Sequence, residues 1–125
     1  MKTLLYINGE WKAAESSEWF EVDNPATEEI ITRVARADAF DVAQAVDAAK
    51  HAFNEWRWVA ANARAEMLHE VAHLTRTHFD ELVGLLTEEE GKPRAENAEE
   101  MEWVATTFDY YAEMGRNVRG RVIPS

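Results

Sequence analysis

The chain has 125 residues, enough for one domain whose folding buries roughly two-thirds of the unfolded surface. Its 46% hydrophobic content is ordinary for a globular protein and too high for a disordered one. Thirteen basic residues against 24 acidic ones leave a net charge of -11, which repels phosphate backbones and anionic membranes and argues against nucleic acid and membrane partners.

No apolar run approaches the length of a membrane span, and Met1-Lys2-Thr3-Leu4-Leu5 is too short for a signal peptide. The sequence contains no cysteine, which removes disulfides, thiolate metal sites and any cysteine nucleophile from these residues. A reducing cytoplasm is the expected compartment.

Leu4-Leu5-Tyr6-Ile7 and Glu10 to Lys12 flank Asn8-Gly9. Asn-Gly predicts a two-residue hairpin, since both positions tolerate positive φ in a type I′ turn. Ala13 to Glu18 reads as a loop. Trp19 to Val22 and Ile30 to Val34 read as strands joined by a turn at Asn24-Pro25-Ala26-Thr27, where proline fixes φ and pushes Asn24 out of the helical region.

Helices follow. Asp38 is the expected N-cap of the first, and Val42, Ala45, Val46, Ala49 and Phe53 form its apolar stripe. Trp56 and Trp58 close that stripe against a loop. From Asn62, residues Leu68, Ala72, Thr75, Phe79, Leu82 and Leu86 make one seam, with Thr77-His78 as its candidate break. The run ends at Glu88-Glu89-Glu90-Gly91-Lys92-Pro93. Gly91 suits a left-handed C-terminal cap, and Pro93 cannot continue a helix. The last helix is predicted from about Arg94 to Met114, with Ala98, Met101, Ala105, Phe108 and Ala112 on one face and Gly115 as its cap. Trp103, Tyr110 and Met114 lie on another face, so this helix wants neighbours on both sides. Arg116, Arg119 and Arg121 follow it.

His69-Glu70-Val71-Ala72-His73 matches H-E-x-x-H, in which two histidines one helical turn apart share a Zn²⁺ and the glutamate activates a water. The competing structural reading sets His69 and His73 on the rim of the Leu68–Ala72 seam, binding nothing. The acidic run Glu88 to Glu90, with Glu96, Glu99, Glu100 and Glu102, offers oxygen ligands for a hard cation, and such runs are more often simply solvated. Negative charge at a helix C-terminus is unfavourable, and a cation would relieve it. No pair of glycines has dinucleotide-fingerprint spacing, and no serine falls on a strand-to-helix elbow.

In order and spacing the segments resemble the start of an aldehyde dehydrogenase. The matching pieces are Ile7-Asn8-Gly9-Glu10-Trp11, Asn24-Pro25-Ala26-Thr27 with Ile30, Asp41-Val42, Ala45-Val46, Ala49, Ala52-Phe53 and Trp56. They continue through Arg64, Leu68, Ala72, Leu82, Glu90-Gly91-Lys92-Pro93, Tyr110-Tyr111-Ala112, Gly120 and Ile123-Pro124. The resemblance implies an α+β fragment: an N-terminal β-hairpin and strands (1–37), three to four helices (38–115) and a basic tail (116–125). Together these would be the opening part of an α/β cofactor-binding domain.

It also implies oxidation of aldehydes to carboxylic acids with NAD⁺ or NADP⁺. The family's nucleophilic cysteine, water-activating glutamate, oxyanion asparagine and dinucleotide-binding elements all lie beyond these 125 residues. No catalytic or cofactor-binding residue is therefore expected here, and the chain alone is expected neither to bind the dinucleotide nor to turn over. In the family this segment wraps the dinucleotide-binding domain and stops near the oligomerisation strands, so the expected partner is the remainder of a dehydrogenase, or a second copy. Two departures stand out. Glu28 replaces the family's usual glycine, which strains the backbone if the turn needs positive φ there. Glu89 stands where an aspartate-type residue is usual. In some members that acid, with a backbone carbonyl just before the Asn-Pro pair, binds a monovalent cation, and the matching positions are Asp23 and Glu89. The alternatives to this reading are a small zinc hydrolase at His69, Glu70 and His73, or an acidic helical interaction module.

Overall fold

A computed structural model describes residues 3–117, 120, 121 and 123. Two small antiparallel sheets precede four helices: β1 (Leu5–Ile7), β2 (Glu10–Lys12), β3 (Trp19–Asn24), β4 (Glu29–Ala35), α1 (Ala39–Trp56), α2 (Ala61–Thr77), α3 (Phe79–Glu90) and α4 (Arg94–Arg116). The chain divides into two compact units, Met1–Trp58 with Glu88–Gly91, and Val59–Thr87 with Lys92–Ser125.

In the first unit, β1 and β2 pair around Asn8-Gly9 with Tyr6 opposite Trp11, and both turn residues have positive φ, 53° and 82°. This is the turn that the Asn-Gly pair favours, because it matches the twist of the strands it joins. β3 pairs with β4 from Trp19↔Ala35 to Asn24↔Glu29, with a register shift between Val22 and Asp23. The Thr3 carbonyl accepts from the Ala35 amide at 2.8 Å, tying the chain leading into the hairpin to β4.

α1 begins where Asp38 predicts. The Asp38 carboxylate accepts from the amides of Phe40 and Asp41, and Asp41 reaches back to the Asp38 amide, completing a capping box. The apolar stripe of α1 is at the expected positions but is not buried. Val42, Val46 and Phe53 are all more than half exposed, and so is Phe40. Helical periodicity identifies which side is apolar and is silent on whether an element covers it. Among the described residues the only fully buried α1 side chain is a charged one, Asp41.

In the second unit α2 and α4 make the most extensive helix pairing. Their buried residues are mostly small: Ala65, Ala72 and Thr75 on α2, and Ala105 and Ala112 on α4, with Asn97 the large exception. Small side chains let two helix backbones approach closely. The seam breaks at His78, the C-cap of α2. Gly115 is not the cap of α4, which continues to Arg116. Asn117 takes that role, its amide donating to the Met114 carbonyl and its side-chain amide to the Glu113 carbonyl at 2.9 Å, so the helix end is satisfied without a left-handed glycine. Trp103, Tyr110 and Met114 are exposed, so the second apolar face of this helix is uncovered among the described residues. Arg119 and Pro124 lie outside the described residues.

Candidate functional site

The first candidate is the corner where Gly91 ends α3 within the first unit. Gly91 has φ +67°, the left-handed conformation of a helix cap. It also sits against the Asn24–Thr27 turn: a Cβ built at Gly91 would lie 2.8 Å from the Ala26 nitrogen and 2.9 Å from Pro25 Cγ. The turn is closed on Asn24, whose carbonyl accepts from Thr27 at 3.2 Å and Glu28 at 2.7 Å, and whose side-chain oxygen accepts from the Ala26 amide at 2.9 Å. That geometry demands a left-handed residue at its end, and Glu28 supplies it at φ 60°.

Asp23 lies beside the β3 register shift and immediately before this turn, and Glu89 lies in the last turn of α3, two residues before Gly91. Both are exposed. Their donor chemistry is oxygen only, which suits a hard cation, and two donors fall short of a closed coordination shell. Among the described residues no group of three or more His, Cys, Asp or Glu could hold a metal ion. The acidic run and its later glutamates therefore do not converge on a site. Glu100 is instead paired with Lys92.

The H-E-x-x-H candidate resolves differently. His69 Nδ1 bonds Asp109 Oδ1 at 2.6 Å and Nε2 bonds Glu113 Oε1 at 2.8 Å, both partners on α4. With both ring nitrogens engaged by carboxylates, His69 has no lone pair to offer zinc. Asp109 also accepts from Arg76 Nη2 at 2.7 Å. The hydrogen bonds from Asp109 and then Glu113 raise the His69 pKa above its ordinary 6.5. Those from His69 and then Arg76 hold the Asp109 carboxyl below its ordinary 3.8.

Two features went unforeseen. Asp41 is a buried carboxylate that, besides its capping role, accepts the Glu15 amide on both oxygens at 3.2 Å. The His69 network spans two helices. Its only sequence trace is spacing: Asp109 and Glu113 sit one turn apart, and His69 and Arg76 two turns apart, each pair on one helix face.

With the geometry described, the comparisons with known proteins define the class. The model of the aldehyde dehydrogenase family matches residues 11–125, and the chain belongs to that family. It is 37% identical over 118 residues to the succinate-semialdehyde dehydrogenase [NADP(+)] GabD of Escherichia coli, covering 94% of this chain and 24% of that protein. It is 34% identical over 123 residues to the D-glyceraldehyde dehydrogenase (NADP(+)) of Thermoplasma acidophilum, covering 98% of this chain and 25% of that one. Among solved structures, PnpE in complex with nicotinamide adenine dinucleotide superposes with a TM-score of 0.95 at 32% identity, covering 100% of this chain and 26% of that chain. The chain thus spans about a quarter of the length of the relatives it matches, and the matched stretch is the opening part of the family. No helix among the described residues is long and apolar enough to cross a membrane.

Proposed function

We propose that these 125 residues work as the opening segment, read as one piece of the cofactor-binding domain, of an NAD(P)⁺-dependent aldehyde dehydrogenase that oxidises an aldehyde to a carboxylic acid. One observation carries the division of labour: the sequence has no cysteine, yet it matches a family that reacts through one. In this reading the thiol, the water-activating glutamate and the dinucleotide cradle belong to the rest of the enzyme. The partner of this chain is that remainder, or a second copy. The lack of cysteine also favours a cytoplasmic setting. NAD⁺ or NADP⁺ supplies the hydride acceptor, and the residues described here provide no glycine-rich turn to cradle it.

The test is direct. The purified 125-residue chain, given NAD⁺ or NADP⁺ and succinate semialdehyde, produces no reduced nicotinamide. Turnover by this chain alone would overturn the reading. We further propose that the Asp23 carbonyl and the Glu89 carboxylate contribute two ligands to a monovalent-cation site completed by the rest of the enzyme. Glu89→Gln then reduces the extra thermal stability that potassium gives the assembled dehydrogenase over choline. An unchanged potassium response would remove Glu89 from that role.

A further inference from the structure

His69 stands between two carboxylates. Each ring nitrogen is within hydrogen-bond distance of an acidic oxygen on α4, 2.6 Å to Asp109 and 2.8 Å to Glu113. A carboxylate oxygen only accepts, so both nitrogens must donate, and only the imidazolium has two N–H groups. The surrounding charges agree. Arg76 pairs with Asp109 at 2.7 Å, and Arg116 pairs with Glu66 and lies 3.4 Å from Glu113. Three carboxylates (Glu66, Asp109, Glu113) therefore face two arginines (Arg76, Arg116), and a charged His69 brings the cluster to neutrality. Along α2 itself, Glu66 precedes His69 by three residues and His73 follows by four, so both flank it one turn away.

We propose that His69 is a proton-operated clasp between α2 and the C-terminal third of α4: doubly protonated it bridges Asp109 and Glu113, and on losing one proton it releases Glu113 and loosens that end of the helix pair. Glu113 is the partner released. Asp109 keeps Arg76 on its second oxygen, whereas Glu113 is well exposed and its other contact, Arg116 Nε, is long. A neutral ring keeping its proton on Nδ1 presents a lone pair to the Glu113 oxygen, and that contact becomes repulsive.

The sign follows from the raised affinity of His69 for its proton. The clasp contributes fully below the ordinary histidine value of 6.5 and is lost as pH rises through the higher value of the folded protein. Its working range therefore lies above the ordinary histidine value.

Nitrogen-15 NMR across a pH series on the full 125-residue chain should show His69 titrating above the ordinary value of 6.5, with both ring nitrogens protonated below its midpoint. The amides of Asp109 to Glu113 should follow the His69 midpoint. Asp109→Asn should lower that midpoint, and Glu113→Gln should lower it less. Hydrogen exchange at the α4 C-terminus, corrected for intrinsic rates, should accelerate above the midpoint in the parent chain and lose this step in His69→Gln. A merely structural His69 would leave no step to lose. If His69 titrates at or below the ordinary value of 6.5, or the α4 amides ignore its titration, the clasp does not exist.

Discussion

The α-carbon side of Gly91 faces the backbone of Ala26 so closely that a methyl group at position 91 would lie 2.8 Å from the Ala26 nitrogen. Two constraints meet at one residue: a left-handed backbone at φ +67° and no space for a Cβ. Gly91→Ala should therefore cost more than an ordinary cap substitution. The conformation contributes about 1–2 kcal/mol, and displacing backbone rather than a flexible side chain adds about 1–3 kcal/mol. A urea denaturation midpoint lowered by less than a simple glycine-to-alanine cap change would contradict the contact.

Glu28 presents the inverse case. Its φ of 60° is the conformation that glycine adopts freely, and its side chain is exposed. Glu28→Gly should raise stability by about 0.5–1 kcal/mol, the relieved left-handed strain exceeding the added entropy of the unfolded chain. Glu28→Ala should bring no such gain, because alanine retains the Cβ. Equal midpoints for the two variants in thermal unfolding would show that the turn is not strained.

Asp41 should be the costliest carboxylate to remove. It holds the Asp38 amide at 3.1 Å and the Glu15 amide from a buried position. Asp41→Ala strands both amides, at about 2–3 kcal/mol in all. Asp41→Asn keeps one acceptor oxygen and should lose roughly half as much. The pair is best read by chemical denaturation, with exchange of the Glu15 amide as a local check.

Asp109 predicts an acid limb. Its folded pKa is depressed by His69 first and Arg76 second, so its contribution is present above the ordinary 3.8 and disappears as pH falls through the lower folded value. Asp109→Asn should flatten stability against pH in that acid range. An unchanged acid limb would mean that the pairing with Arg76 and His69 adds nothing.

Local chemistry was legible in the sequence, and long-range closure was not. Asn8-Gly9, Asp38 and Gly91 each announce a backbone conformation through their own atoms, and the structure has a hairpin, an N-cap and a left-handed cap at those places. The α1 stripe was read at the right spacing, yet Val42 and Val46 face solvent, since no periodicity encodes a missing neighbour. Asp41 looks like an ordinary first-turn acid until the Glu15 loop closes over it. His69 suggested a metal through its H-E-x-x-H spacing with Glu70 and His73, while its actual partners, Asp109 and Glu113, lie far along the chain and leave no local mark. Asp23 and Glu89 were visible only through family resemblance, for nothing in composition or spacing marks them.

The meeting of Gly91 with Pro25 and Ala26 also sets an order of events during synthesis. A ribosome releases the β3–β4 ribbon well before it has made the residue that seats against the ribbon's tip. Until α3 is complete, that tip rests on its internal Asn24 bonds alone, and Glu28 must hold its awkward backbone unaided. The tip of the nascent ribbon thus completes its packing only once the end of α3 has been translated.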